Sequence, residues 1–229
     1  MGECGRTLLS STFTIRAYTP ADLEAVQALD ARVEPYRRED AAAVEAMFAR
    51  AAEAPRPLDR WGHRHSVEFE AVLSQGYLAI WLATVAGHEV AGIVGVQRFH
   101  DGPEVGDLAP AIAWVGREDI AELVHLRVAP EARRQGIGEA LVRRVLDWSR
   151  DEGFHMLVLN TTTPQFAARR LYERLGFREV GIAYLDAKYE VVWYAADLTS
   201  GLSPAGGDGA VLGRRKGPAG ADGPRALWA

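Results

Sequence analysis

The chain has very little cysteine, no long apolar run and no excess of positive charge. Cys4 is the only cysteine among 229 residues, which excludes an intrachain disulfide and a cysteine-rich zinc site. No run reaches the roughly 18 apolar residues that a membrane span requires, so we expect no membrane contact. The net charge of −5 supplies no overall basic field for nucleic acid. Any anion must therefore be bound locally.

The N-terminal residues carry no recognisable targeting signal. The stretch MGECGRTLLSSTF lacks both the basic and the apolar regions of a signal peptide. Arg6 stands where a myristoylation signal needs Ser or Thr. We therefore expect a cytoplasmic protein.

Periodicity and turn residues predict a mixed α/β chain. Strands are expected at 13–17, 77–85, 89–98, 123–128, 156–159, 177–185 and 189–197. Helices are expected to begin at Thr19-Pro20-Ala21-Asp22 and at Pro164, and to span 66–74 and Gly138 to near Gly153. A further helix is expected from about 36 to 52, with Val44, Met47 and Phe48 pointing inward. Residues 99–120 read as a long insertion. We expect one domain over 12–198 and a disordered, Gly-rich tail over 199–229.

A strand that runs directly into a glycine-rich helix start dominates the second half of the chain. The apolar strand ends before Pro130, and the residues RRQGIG at 133–138 then open an amphipathic helix. A helix start offers backbone N–H groups without internal partners, and glycine lets an anion approach them closely. Arginines add positive charge suited to phosphate. The stretch predicts a diphosphate site.

Two common nucleotide motifs fail at this turn. A dinucleotide fingerprint needs a third glycine where Leu141 stands, and a Walker A loop needs G-K-[S/T] where Glu139 and Ala140 follow Gly138. The pattern that is present is R-x-x-G-x-G, formed by Arg133, Gly136 and Gly138.

Two blocks together resemble the GCN5-related N-acetyltransferases (GNAT). The first, V-x-P-x-x-R-x-x-G-x-G at 128–138, is similar to the acetyl-CoA site of that family. The second, ARRLYERLGF at 168–177, resembles the family pattern A-x-x-L-Y-E-x-x-G-F. The resemblance implies a mixed, mostly antiparallel sheet of six to seven strands, helices on both faces and a splayed central strand pair.

The resemblance also implies the residues that bind acetyl-CoA. Main-chain groups of Leu126, Arg127 and Val128 would pair with the pantetheine arm. The N–H groups of the turn would hold the pyrophosphate, with these residues taking part: Arg133, Arg134, Gln135, Gly136, Ile137, Gly138 and Glu139. Asn160, Ala168 and Arg169 would line the other side. Gln165 stands where many members have Asn, so the role of Asn160 is open.

Tyr172 and Glu122 are the candidate catalytic residues. Acetyl transfer expels a thiolate of pKa about 8.5, and a phenol near 10 stays protonated at neutral pH and donates to the departing sulfur. Glu122, where the family often has an acidic base, is a candidate to take the proton of the amine. Strand alternation puts His125 on the face opposite Glu122, so we expect only one of them in the site.

The sequence thus predicts an acetyl-CoA-dependent N-acetyltransferase that works by direct attack of an amine in a ternary complex, without a metal. His63 and His65 lack accompanying ligands for one. A non-catalytic acyl-CoA-binding domain of the same fold and a longer acyl donor are the alternatives. The acceptor is open, and dimerisation, common in the family, is indicated by no residue.

Overall fold

The computed structural model describes residues 13–33, 36, 38–53, 76–85, 89–99, 115–185 and 189–199. In these ranges the strands are β1 (Thr14–Ala17), β2 (Tyr77–Val85), β3 (Glu89–Arg98), β4 (Ile120–Val128), β5 (Met156–Thr162), β6 (Arg178–Leu185) and β7 (Tyr189–Asp197). The α-helices are α1 (Leu23–Arg32), α2 (Ala41–Glu53), α3 (Ile137–Asp151) and α4 (Phe166–Arg174). Single 3-10 turns at Pro20–Asp22, Arg38–Asp40, Arg117–Asp119 and Pro130–Ala132 precede α1, α2, β4 and α3.

The strands form one sheet of seven in the order β1-β2-β3-β4-β5-β7-β6. Every neighbouring pair is antiparallel except β4 and β5, which are parallel. The predicted mixed, mostly antiparallel sheet is therefore confirmed.

Helices cover both faces of the sheet. On β4, Arg127 forms an ion pair with Asp30 of α1. The next residue, Val128, faces α3, because its Cγ2 lies 3.7 Å from the position that a Cβ on Gly138 would take. Successive strand residues point to opposite faces. Helix α1 and helix α3 therefore lie on opposite sides of β4.

The two parallel strands separate partway along their length. Their pairing is limited to Ile120↔Met156, Ala121↔Leu157 and Glu122↔Val158. Beyond Glu122, β4 continues to pair with β3 as far as Val128, and β5 continues to pair with β7 as far as Thr162. A gap therefore opens within the sheet between the second halves of β4 and β5.

Strand β4 also carries a bulge. Gly95 pairs with Val124 but Ile93 pairs with Arg127, so β4 has one more residue than β3 between the two pairs. His125 lies within this interval and has φ 55°, a left-handed conformation that is uncommon outside glycine. The bulge interrupts the alternation of faces along β4.

The described helices lie close to their predicted positions, but α2 begins at Ala41 where a start near 36 was expected, and α4 begins at Phe166 where a start at Pro164 was expected. Asp22 accepts hydrogen bonds from the N–H and the hydroxyl of Thr19, both at 2.8 Å, and so forms a capping box around the 3-10 turn that leads into α1. In α2, Met47 is buried as predicted, but Phe48 is 36% exposed and its ring contacts Tyr189 at 5.8 Å. The prediction that Phe48 points inward was wrong, because this ring packs at the margin of the helix against β7.

Other predictions fall outside the described residues. The helix expected at 66–74, the histidines at 63 and 65, and all of the tail beyond Thr199 are among them. Of the insertion at 99–120, residues 100–114 also lie outside.

Candidate active site

The start of α3 presents backbone N–H groups at the mouth of the gap. Its first intrahelical bond runs from the N–H of Ala140 to the carbonyl of Gly136, at 3.0 Å. The N–H groups that precede Ala140 have no intrahelical acceptor, and the helix dipole adds partial positive charge there. Arg134 and Gly136 both have positive φ, 66° and 84°, which turns the backbone into this start. The arrangement is suited to a bound anion.

The two glycines of this turn have different roles. A Cβ on Gly136 would meet nothing within 4 Å, so glycine serves there for its left-handed conformation. A Cβ on Gly138 would lie 3.5 Å from Cδ2 of Leu171 in α4 and 3.7 Å from Val128. Gly138 therefore lies where α3, α4 and β4 come together.

Strand β4 directs part of its backbone into the gap. The N–H of Ala129 bonds to the carbonyl of Ala91 in β3 at 2.8 Å, and Arg127 pairs with Ile93. Backbone groups alternate along a strand, so those of Leu126 and Val128 point away from β3. Consistently, the Val128 carbonyl accepts a hydrogen bond of 3.4 Å from Nε of Arg133. Of the three residues expected to pair with a pantetheine arm, Arg127 instead directs its main chain to β3.

The polar side chains of the turn are at the surface. Arg134 and Gln135 are exposed, and Gln135 Nε2 donates to the carbonyl of Glu131 at 3.3 Å. Glu139 accepts two bonds from Arg143, at 2.9 and 3.1 Å. Ile137 is buried beneath the turn. An anion at this turn would therefore meet mainly backbone N–H groups, with the exposed Arg134 side chain beside them.

The opposite wall of the gap comes from β5 and α4. Asn160 is half-buried on β5, two residues beyond the last β4–β5 pair. Gln165 immediately precedes α4, where its Oε1 accepts bonds from the Thr161 hydroxyl at 2.5 Å and the Thr162 N–H at 3.3 Å. Gln165 therefore organises the turn between β5 and α4.

Arg169 is held by the protein itself. Its guanidinium donates to the Tyr194 hydroxyl at 3.0 Å, to the Thr163 carbonyl at 3.2 Å and to Glu179 at 3.4 Å. Ala168, one residue earlier, packs half-buried against the core. These contacts tie Arg169 of α4 to the turn that follows β5, to β6 and to β7, and so give it a structural role beside its predicted place in the wall of the donor site.

Tyr172 is 4% exposed and surrounded by aromatic rings. Its ring centroid lies 5.8 Å from that of Phe177 and 6.0 Å from that of Tyr194. Burial, with a smaller contribution from Tyr194, raises the pKa of Tyr172 well above its ordinary value. The phenol therefore stays protonated at physiological pH and keeps a proton with which to donate a hydrogen bond.

Glu122 is buried at the point where β4 and β5 part. It is 8% exposed and is the last β4 residue that pairs with β5. Its Oε2 accepts a hydrogen bond of 2.8 Å from Nε2 of Gln97, which pairs with it across β3 and β4. Burial, and next the negative charge of Glu122, raise the pKa of Tyr77 well above its ordinary range. Tyr77 is thus within electrostatic reach of the carboxylate.

His125 does not lie where simple alternation puts it. Its ring contacts that of Tyr77, with centroids 5.9 Å apart, and Tyr77 interacts with Glu122. The extra residue of the bulge and the positive φ of His125 bring the imidazole to the surroundings of Glu122. The prediction that the two side chains belong to opposite faces was therefore wrong.

A buried carboxylate on β7 was missed from the sequence. Glu190 is 5% exposed and accepts bonds from Arg50 of α2, the shortest of 2.6 Å, and from the Tyr184 hydroxyl at 3.1 Å. The Arg50 guanidinium lowers the pKa of Glu190 below its usual range. The partners are 140 and 6 residues away in the chain. No local pattern signals such a pairing.

A sheet whose one parallel pair opens beside a glycine-rich helix start defines the class of the GCN5-related acetyltransferase folds. The chain belongs to the Acetyltransferase (GNAT) family, whose sequence profile matches residues 43–177, more than half of the chain.

Individual relatives agree with this assignment. The chain is 36% identical over 115 residues to N-acetyltransferase 8 of Homo sapiens, and 46% identical over 115 residues to N-acetyltransferase 8B of the same organism. Each match covers 50% of this chain and 45% of the relative, so the chain spans about half the length of the curated relatives it matches. The ribosomal-protein-S18-alanine N-acetyltransferase from Escherichia coli has a similar structure, with a TM-score of 0.50 at 21% identity, covering 82% of this chain and 94% of that one. At this identity the likeness concerns the fold alone.

The described residues lack two further features. They contain no helix that is both long enough and apolar enough to cross a membrane. They also contain no group of three or more His, Cys, Asp or Glu side chains placed to hold a metal ion.

Proposed function

We propose that the protein is an acetyl-CoA-dependent N-acetyltransferase in which an amine attacks the thioester directly within a ternary complex. The observation that carries this proposal is the gap between β4 and β5, which has Glu122 on one face of the sheet and Tyr172 on the other. Glu122, Val158 and Ala195 pair in a row and share a face. Tyr194, next to Ala195, points to the opposite face and contacts Tyr172.

The donor site is formed by the open edge of β4 and the start of α3. Backbone groups of Leu126 and Val128 offer hydrogen bonds to an extended amide-containing arm, as an added strand would use them. The N–H groups from Arg134 to Glu139 hold the pyrophosphate, and the exposed side chain of Arg134 adds charge. Asn160 and Ala168 border the other wall. Acetyl-CoA supplies the activated acetyl group.

Glu122 is proposed as the general base. An alkylammonium of pKa about 10.4 is neutral only about once in 2,500 at pH 7, a deficit of roughly 4.6 kcal/mol. A buried carboxylate at the closed end of the gap, directly or through water, takes the proton as the nitrogen bonds to the carbonyl carbon. The N–H of Val128 faces the gap and is proposed to stabilise the charge that develops on the carbonyl oxygen.

Tyr172 is proposed to stabilise the sulfur that departs as the carbon–sulfur bond breaks. Its raised pKa makes full proton transfer to a thiolate of pKa about 8.5 strongly uphill. The phenol therefore acts mainly by donating a hydrogen bond, and the departing thiolate takes its proton late, from water. No covalent acetyl-enzyme is proposed, because Cys4 is the only cysteine and lies far in sequence from both motifs.

The test is thiol release from acetyl-CoA with spermidine, tryptamine, L-lysine, L-methionine and a short peptide with a free N-terminus, run on the wild type and on Glu122→Gln. We expect release with at least one amine and a loss of about 100-fold or more in the variant at neutral pH. Equal rates would remove Glu122 from the mechanism. Tight binding of acetyl-CoA without transfer to any amine would favour a non-catalytic acyl-CoA-binding domain. Faster thiol release from a longer acyl-CoA would indicate that the longer acyl-CoA is the donor.

We propose that the acetyltransferase domain spans residues 12–198. We also propose that the protein is cytoplasmic. The identity of the acceptor amine and the possible homodimer are left to the same amine panel and to a mass measurement in solution.

A further inference from the structure

Gln97 is placed to hold the carboxylate of Glu122. The two residues are direct cross-strand partners in β3 and β4 and share one face of the sheet. The hydrogen bond from Gln97 Nε2 to Glu122 Oε2 is 2.8 Å. Gln97 is itself half-buried, so its amide is constrained by the packing around it.

The cross-strand alignment of Gln97 and Glu122 continues onto a third strand, β2. Tyr77 of β2 pairs with Gln97, so Tyr77, Gln97 and Glu122 lie side by side across the sheet. The Tyr77 ring occupies the space over Gly95, because a Cβ on that glycine would lie only 2.6 Å from Cε1 of the tyrosine. The absence of a side chain at Gly95 thereby leaves room for the Tyr77 ring beside Gln97, and the His125 ring packs against the Tyr77 ring.

We propose that Gln97 is a positioning residue for Glu122, which fixes the carboxylate at the end of the β4–β5 pairing and stabilises its charged form. This inference rests on the proposed role of Glu122 as the base. A neutral amide donor orients a carboxylate without neutralising it, whereas an arginine or lysine would lower its basicity far more. Two titratable side chains of the described residues lie near Glu122: Tyr77 of β2, which interacts with its charge, and His125 of β4, whose ring contacts Tyr77.

The substitution that isolates the hydrogen bond is Gln97→Met, which keeps the length and volume of the side chain but removes the donor. Loss of a bond to the charged form favours the protonated form. We expect about a tenfold loss of kcat/KM at neutral pH, with KM for acetyl-CoA unchanged. In the pH profile of kcat/KM, the acid limb should shift upward by about one pH unit. Gln97→Glu places a second carboxylate beside Glu122 and should shift the acid limb further.

A second readout does not depend on catalysis. The titration of the Glu122 side chain, followed by NMR in the free protein with 13C-labelled carboxyl groups and identified by its absence in Glu122→Gln, should move to higher pH in Gln97→Met. Phe48→Met, a change at the exposed margin of α2, is the control and should leave the titration and the acid limb unmoved.

The outcomes separate this inference from the proposed function. An active wild type whose acid limb and NMR titration are unchanged in Gln97→Met overturns the positioning role and leaves the acetyltransferase proposal standing. A wild type without transfer activity, but with a shifted NMR titration in Gln97→Met, supports the contact and overturns the function. If Gln97→Met fails to fold, Gln97→Asn and Gln97→Glu replace it in both measurements, and unmoved titrations in these variants overturn the inference.

Discussion

Nε of Arg169 donates a hydrogen bond of 3.0 Å to the hydroxyl of Tyr194, and that hydroxyl donates in turn to Glu173 at 3.1 Å. The Tyr194 ring contacts Tyr172, so the arginine supports the aromatic packing around the candidate catalytic residue. This relationship gives Arg169 a structural role in addition to its predicted place in the wall of the donor site.

Arg169→Met should lower stability without weakening donor binding. The change removes three hydrogen bonds, and we expect a loss of about 1–3 kcal/mol in the free energy of unfolding, measured by denaturant titration. The control is Arg170→Met, because Arg170 is exposed on the same helix. A large rise in KM for acetyl-CoA in Arg169→Met, at unchanged stability, would instead indicate that Arg169 contacts the bound donor.

Tyr172→Phe should lower kcat much more than it raises KM for acetyl-CoA. The phenol donates to sulfur only as the thiolate forms, so its loss affects the transition state, by about 100-fold. Because burial raises the pKa of Tyr172, the wild type should show no loss of activity from its ionisation up to pH 10. Steady-state kinetics over pH 6–10 test both statements, and unchanged turnover in Tyr172→Phe contradicts the assignment.

Gly136→Ala should weaken binding of acetyl-CoA as well as stability. The left-handed φ of 84° costs an alanine about 1 kcal/mol, and its Cβ would project at the helix start. Gly76→Ala is a matched control, because Gly76 has φ 90° and equally open space. Both variants should lose similar stability, and only Gly136→Ala should raise the Kd by calorimetry. A raised Kd in both would point to a general loss of structure.

Asp22→Asn should destabilise the protein at neutral pH and have little effect in acid. Arg16, which bonds both carboxylate oxygens at 2.5 and 2.8 Å, holds the pKa of Asp22 well below its usual range. A carboxyl with a lowered folded pKa stabilises above its unfolded pKa of about 3.9, and this stabilisation is lost as the pH falls. The difference in Tm between wild type and variant should therefore shrink from pH 5 to pH 2.

The control for Asp22 is Asp147→Asn. Asp147 forms an exposed pair with Arg150 at 3.2 Å, and exposed pairs contribute little. A Tm difference for Asp22→Asn that stays constant down to pH 2 would contradict the linkage.

Local patterns in the sequence were enough to place most of the fold. The bounds predicted for β2 and β3, 77–85 and 89–98, coincide with the strands observed. Thr19 and Asp22 signalled the start of α1 through a capping pattern that spans four residues. These features depend on neighbours in the chain, which is why they could be read from it.

The parts that could not be predicted depend on how distant strands align. One extra residue between two β3–β4 pairs moved His125 to the surroundings of Glu122, and nothing in the sequence of β4 alone marks it. The contact between Gln97 and Glu122, which are 25 residues apart in the chain, depends on the register of the two strands that carry them. The contact between Arg50 and Glu190 needs the docking of a helix on the far end of the sheet.

The gap in the sheet also has a mechanical consequence. Strands β1 to β4 on one side and β5 to β7 on the other are joined within the sheet by only three residue pairs, those of Ile120, Ala121 and Glu122. These three pairs mark the end of the gap where β4 and β5 still touch. The open part of the gap is bordered by the start of α3 and by α4. A substitution at one of these three residues would therefore alter the width of the gap along its length. Glu122, the proposed base, is one of the three, so it also helps to set the shape of the donor site.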